Sequence, residues 1–272
     1  TDSKPRATGY TANLLAVKPA IEFNLSSDTR VNLIYKLENL DVTAVGTSEV
    51  LKQDLGQSTR SLIDLSFRHD KRDSIIKPTK GYMLKLGSEI AGLGGDEQFV
   101  KTEASGKIYQ GIYGNNIIFS TELEGGILVM GKGYSKIVDR FQLGGRSFRG
   151  FKFSGIGPRE LSGGAYSIPL GGEKYAIARF AASFPLGLPR ELGLFGSIFA
   201  EAGTLWDLKS DPNVPGLSNK IALTDRSLRT SLGFAMNWET PIGPLQFNWS
   251  RPQKYLEADS PEYFSLNLAT RF

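Results

Sequence analysis

The chain has no cysteine and a single histidine, His69. The first absence excludes disulfides and thiolate metal sites. The second excludes histidine clusters for metals and makes most histidine-based catalysis improbable. No stretch approaches the ~18 consecutive apolar residues that a membrane helix needs, and no segment carries a helical period. The net charge of +4 is small for 272 residues, and its lysines and arginines form no basic stripe, so nucleic acid is not an expected partner. The opening Thr1-Asp2-Ser3-Lys4-Pro5-Arg6 lacks the apolar core of an export signal.

What is present is period-two alternation, the pattern of a strand with two unlike faces. Leu228, Thr230, Leu232, Phe234, Met236 and Trp238 fall on one face, and Arg229, Ser231, Gly233, Ala235 and Asn237 on the other. Leu245, Phe247 and Trp249 alternate with Gln246, Asn248 and Ser250, and Phe264, Leu266, Leu268, Thr270 and Phe272 with Ser265, Asn267, Ala269 and Arg271. Noisier versions recur earlier, as in Ile63, Leu65 and Phe67 against Asp64, Ser66 and Arg68.

About eleven strands follow, near 9–25, 30–42, 58–69, 80–91, 97–110, 116–130, 172–185, 191–204, 226–239, 244–252 and 262–272. Several carry charge on their polar face. A soluble sandwich would turn its apolar faces into a core. A transmembrane antiparallel β-barrel, with lipid outside and a polar lumen, accounts for long strands of this kind more directly, because each crosses the bilayer in ~9–11 residues and only alternate side chains meet lipid. Aromatics at strand ends (Tyr10, Tyr82, Trp238, Tyr255, Phe272) suit an interfacial girdle. The expected fold is therefore all-β and of the bacterial outer-membrane type. Such a chain must be exported, so a longer protein is expected upstream.

One connection breaks the meander. Residues 132–171 show no strand alternation, yet they are rich in glycine, arginine and aromatics. An unstructured loop of that length is uncommon and is usually functional or disordered, and the aromatics argue against disorder. Here Leu143-Gly144-Gly145, Phe148-Arg149-Gly150-Phe151 and Gly155-Ile156-Gly157-Pro158 resemble the sixth extracellular loop of the BamA family, the barrel subunits of the outer-membrane protein assembly machinery. Ile198 to Asp207 resembles that family's strand that receives the loop arginine. Trp238 to Phe247 resembles its penultimate hairpin, and Phe272 its aromatic C-terminus. The resemblance runs from about residue 58 to the end. Phe148 stands where valine is usual, and Glu201 where aspartate is frequent.

The resemblance implies the C-terminal ~11–12 strands of a barrel of about 16, with residues 132–171 folded into the lumen and with periplasmic repeats and the first strands upstream. It implies a latch of Arg149, Gly150, Phe151, Phe199 and Glu201, in which the guanidinium meets the carboxylate through two parallel hydrogen bonds. It also implies a lateral seam at the last strand (Phe264, Leu266, Leu268, Thr270, Phe272), where unfolded β-barrel clients would add by strand pairing. Outer-membrane lipids and accessory lipoprotein subunits are the other implied partners. No cofactor, metal or covalent chemistry is expected.

The residues leave alternatives open. Glu201 could pair with Arg179 or Arg229 instead, and a lone Arg-Gly-Phe occurs by chance. A TamA-like assembly factor shares the loop and hairpin, a two-partner secretion transporter shares the Arg-Gly-aromatic motif, and a passive porin needs neither. His69 beside Asp70 admits an outer-membrane hydrolase, but no serine motif completes such a site, and a solvated turn over Asp70 to Gly81 is the expected reading.

Overall fold

The computed structural model describes residues 10–44, 47–189, 192–211, 213–240 and 243–268. A 12-stranded sheet dominates it. Its strands are β1 (Thr11–Val17), β2 (Ala20–Ser26), β3 (Thr29–Ala44), β4 (Gly56–Asp70), β5 (Lys80–Gly95), β6 (Phe99–Ile112), β7 (Ile117–Met130), β10 (Lys174–Pro185), β11 (Leu194–Trp206), β13 (Arg229–Thr240), β14 (Gly243–Lys254) and β15 (Phe264–Leu268). Every pairing is antiparallel, and from β3 onward each strand of this sheet pairs with the next one along the chain, while β1 and β2 both pair with β3. The longest excursion lies between β7 and β10, which pair directly although the long connection separates them.

Two expectations need correction. The single strand expected over 9–25 is β1 and β2, both paired to β3. Val17 faces Leu37 and Ala20 faces Ile34, so one register runs through both. The interruption sits at Pro19, which accepts from Tyr35 N–H at 3.1 Å but has no N–H to return. The connection over 132–171 is also not free of strand. It carries a hairpin of β8 (Arg159–Ser162) and β9 (Ala165–Pro169), and β8 is joined by β12 (Ile221–Ala222) from the β11–β13 connection.

The two faces of the sheet divide by chemistry. Leu15, Ile21, Leu84, Leu86, Ile108, Leu123, Phe180, Ile198 and Leu232 stand exposed on the outer face, as side chains meant for lipid would. The inner face carries charge, and the charges are matched. Lys36 Nζ lies 2.9 Å from Asp64 and 3.2 Å from Glu89, joining β3, β4 and β5. Lys107 meets Glu122 at 3.2 Å, and Arg179 meets Glu124 at 2.5 Å. No helix among the described residues is long and apolar enough to cross a membrane; the crossings are strands.

Connections differ between the rims. One rim has the turn at 27–28, the Tyr113–Asn116 turn and the link between β13 and β14, of which Pro241 and Ile242 lie outside the described residues. The Asp70–Gly81 turn closes here too, its backbone gathered by Asp73, which accepts from Thr79 Oγ1 at 2.5 Å, Thr79 N at 2.9 Å and Lys80 N at 3.1 Å. The other rim holds the long connections. Tyr82 and Trp238 stand exposed near the short-turn rim and Tyr255 near the other, as a girdle requires, whereas Tyr10 packs on the apolar cluster of Leu40, Val42, Leu51, Ile137 and Leu208 beneath the long connections. Phe272 lies outside the described residues.

Candidate functional site

The long connection folds onto the inner face, where its apolar side chains make the molecule's main core. Phe141, Leu143, Phe148, Phe151 and Ile156 from the connection are buried against Leu62, Phe99, Leu128, Tyr175, Ile177 and Leu205 of the wall. One segment thus touches strands from β4 to β11, which requires the sheet to wrap around it.

Arg149 sits between the buried Phe148 and the buried Gly150 and Phe151 of this segment. Its Nε donates to Glu201 Oε1 at 2.5 Å and its backbone N–H to Glu201 Oε2 at 2.8 Å. Its guanidinium carbon lies 3.5 Å from the centre of the Phe199 ring. The expected fork of two guanidinium N–H groups is therefore replaced by one guanidinium bond and one backbone bond. With the guanidinium over the ring, its Nε edge and not its fork meets the carboxylate. The Glu201 side chain is 1% exposed and that of Arg149 is 13%, so the pair is largely withdrawn from water.

Glycines make the fit possible at two points. Phe199 faces Gly233 across the β11–β13 register, and a Cβ there would collide with the ring. Gly150 has φ +93, and a Cβ on it would strike the Ser231 side chain. Phe151, the last residue of the motif, puts its buried ring on Phe148, with centroids 5.3 Å apart. Phe148 therefore fills the apolar core in place of the usual valine.

The alternative partners of Glu201 are engaged elsewhere. Arg179 pairs with Glu124 and donates to Ser147 O at 2.5 Å. Arg229 pairs with Asp259 through Nε at 3.0 Å and Nη2 at 3.3 Å, with both side chains fully buried. His69 lies with Nδ1 2.9 Å from Thr29 Oγ1 and Nε2 3.3 Å from Tyr82 Oη, and Asp70 is held by Arg68 and Arg72. That is a tied-down turn rather than a charge-relay arrangement.

Sequence reading missed the outer half of the attachment. Arg60 on β4 bonds Asp139 of the connection at 2.6 Å, Glu38 at 2.8 Å and Glu97 at 3.3 Å. Burial pushes the Asp139 carboxyl up from its usual range, against the pull of Arg60. Beside it Arg140, fully buried, donates to Leu170 O at 3.2 Å and lies 3.6 Å from Asp54. These partners lie 79 and 86 residues apart or come from different connections, and no local pattern marks them.

Of the seam residues, Phe264, Leu266 and Leu268 share the exposed outer face of β15, with Phe264 against Trp249 at 5.6 Å between ring centroids. Thr270 and Phe272 lie outside the described residues. Among the described residues β15 pairs only with β14, and over five residues. The connection reaches this end of the sheet as well. Lys152 N donates to Ser260 O at 2.9 Å, Ser260 N to Gly155 O at 2.8 Å and Glu262 N to Gly150 O at 2.8 Å, a short ladder onto the segment that leads into β15.

An antiparallel sheet with lipid-type residues outside, paired charges inside and a long connection pinned to its inner wall defines a class: a transmembrane β-barrel of the outer membrane. The chain belongs to the Omp85 superfamily, whose domain matches residues 1–272. It is 28% identical over 221 residues to the outer membrane protein assembly factor BamA of Nitratidesulfovibrio vulgaris, covering 80% of this chain and 26% of that protein. It is 37% identical over 155 residues to the bovine sorting and assembly machinery component 50 homolog, covering 56% of this chain and 32% of that one. The chain thus spans about a quarter to a third of the curated relatives it matches. Its fold superposes on the crystal structure of Haemophilus ducreyi BamA lacking POTRA domains 1–3 with a TM-score of 0.84 at 19% identity, covering 97% of this chain and 56% of that one. Against CdiB from Escherichia coli the TM-score is 0.58 at 16% identity, covering 94% of this chain and 45% of that one.

Proposed function

We propose that this barrel belongs to an assembly factor that folds and inserts β-barrel proteins into the outer membrane, and that Arg149, Phe199 and Glu201 form the latch holding its long connection in place. The observation that carries the reading is the attachment of that connection at both places that matter: Glu201 on the wall and the segment entering β15. The relatives named as assembly factors support it. A strand at the end of a sheet presents unpaired N–H and C=O groups, and an unfolded client's strand can pair with them. Further hairpins then add, and closure of the client removes its own edge and releases it. Nothing covalent changes hands, so the work is templating rather than enzyme chemistry, with lipid, unfolded clients and accessory lipoprotein subunits as partners. A polypeptide-secretion pore is the second reading; the lower structural likeness to CdiB favours it less.

The test uses the full-length parent in liposomes with unfolded outer-membrane barrels added. The rate at which clients become protease-resistant should rise well above that in empty liposomes, and Arg149→Ala should lose most of the gain. Passage of a polypeptide without faster client folding would move the assignment to a transporter. A fully active Arg149→Ala protein would remove the latch role.

A further inference from the structure

The Asp70–Gly81 turn does more than join β4 to β5. Lys77 near its tip reaches Glu239 on β13, Nζ to Oε2 at 2.6 Å. Between β5 and β13 the sheet holds β6, β7, β10 and β11, so the two partners stand five strand spacings apart, about 24 Å along the wall. Trp238 is exposed on the outer face, so Glu239, next in the strand, faces inward. The contact therefore runs across the short-turn mouth of the lumen. Both partners are held in place. Asp73 gathers the base of the turn, and Ser74 Oγ accepts from the amides of Ile76 at 3.3 Å and Lys77 at 3.1 Å. Pro78 fixes the backbone just beyond. Arg72 clasps Asp70 through Nε and Nη2, both at 2.8 Å. Glu239 is fixed by its own N–H, which donates to Gly193 O at 2.9 Å. Ile76, Lys77 and Pro78 line a lumen cavity of about 1070 Å³ that reaches Arg149 and Glu201. One cavity thus has the latch at its inner end and this turn at its mouth.

We propose that this turn is a releasable strap. With Lys77 on Glu239 it narrows the way from the short-turn side into the cavity; with the pair broken it swings clear and admits water-soluble molecules. The strap works the same way whatever the barrel inserts or conducts, so it stands apart from the assembly reading. Its fastening is light. The side chain of Lys77 is 66% exposed and that of Glu239 29%. An ion pair this open to water shifts an equilibrium by a factor of about five at most, and salt screens it. A fastening of that strength biases the mouth toward closure without locking it. Release leaves the bonds of Asp73 and Ser74 intact, because both lie within the turn.

The full-length protein in lipid nanodiscs tests this, with a bulky uncharged maleimide as probe. This chain has no cysteine, so Ser120→Cys, in the cavity wall on β7, reports entry once any upstream cysteine is replaced by serine. Labelling rates are taken relative to free cysteine at about 0.1 M and about 1 M salt, where the Debye length is ~10 and ~3 Å. With Ser120→Cys alone, labelling should be slow at low salt and rise severalfold at high salt. Adding Lys77→Glu should speed low-salt labelling about fivefold and abolish the rise with salt. Adding Glu239→Lys to that variant should restore both the slow rate and its salt dependence. Equal low-salt rates with and without Lys77→Glu overturn the strap. Faster labelling that Glu239→Lys fails to reverse overturns the ion pair as its fastening, and the proposal with it.

Discussion

At the residue scale the decisive feature is a carboxylate that cannot reach water. Glu201 is bound by the Arg149 side chain and by the Arg149 backbone N–H, and the guanidinium rests on Phe199. Removing one partner of a buried pair costs ~3–5 kcal/mol, because the other charge is left stranded. Glu201→Arg is worse than a simple loss: it sets a new cation beside Arg149 and directly opposite Arg179 in the β10–β11 register. Adding Arg149→Glu restores one opposite pair but neither the backbone bond nor the stack on Phe199. A double-mutant cycle on thermal unfolding should therefore show recovery of about half the defect, and strictly additive losses would mean that the two side chains do not act together. Asp73 gives a residue-scale dependence on pH. The Thr79 hydroxyl, with the amides of Thr79 and Lys80, holds its carboxyl down at about 2 against an ordinary 3.8. A depressed acid contributes its full support to the turn above its unfolded value and loses it as pH falls through the folded one. Pepsin should therefore cut the exposed Ile75-Ile76 segment faster in Asp73→Ala than in the parent at pH 4, and the ratio of the two rates should fall to one below pH 2.

At the scale of elements, alternation made the wall legible because both faces speak: lipid demands apolar side chains on one and paired charge on the other. Thus β4, β5, β13 and β14 lie where Ile63 to Phe67, Tyr82 to Leu86, Leu228 to Trp238 and Leu245 to Trp249 place them. The hairpin β8–β9 was not legible, because Tyr166 is exposed while Arg159 and Glu160 are buried, the reverse of a lipid-facing strand. The pairing of Arg229 with Asp259 was equally hidden; which acid a buried arginine meets depends on how a connection folds back, and sequence spacing does not carry that. The contact of Arg149 with Glu201 and Phe199 was legible only because those residues fall in a motif, and nothing in the motif told where the Phe151 ring would pack. The split of β1 from β2 could have been read at Pro19. It is the residue opposite Tyr35 in an exchanging position, and it lacks the donor that Tyr35 O would accept. Pro19→Val supplies that donor, and the alternation continues through it. Amide exchange across residues 18–20 should then slow severalfold, as a new ladder bond of about 1 kcal/mol would produce. Unchanged exchange would place the cause of the break elsewhere.

At the scale of the whole molecule, the sheet is a soluble protein turned inside out. Its core is the long connection and its charges are internal, so the outer face has to be matched to hydrocarbon. That match can be measured by position. Leu123 lies at the middle of β7 and is 59% exposed on the outer face, whereas Trp238 lies near the short-turn rim at 42%. A cation on the lipid face costs ~2–4 kcal/mol at the midplane of a bilayer and only ~0–1 near its surfaces. Leu123→Arg should therefore lower the unfolding free energy of the lipid-embedded full-length protein by ~2–4 kcal/mol, read from a denaturant titration in liposomes. Trp238→Arg should lose the aromatic's interfacial contact but little more. In detergent micelles, where water reaches the side chain easily, the two costs should converge. If both substitutions cost the same in lipid, the band through Leu123 is not the membrane-spanning one, and the assignment of β7 as a full crossing would have to shift along the strand.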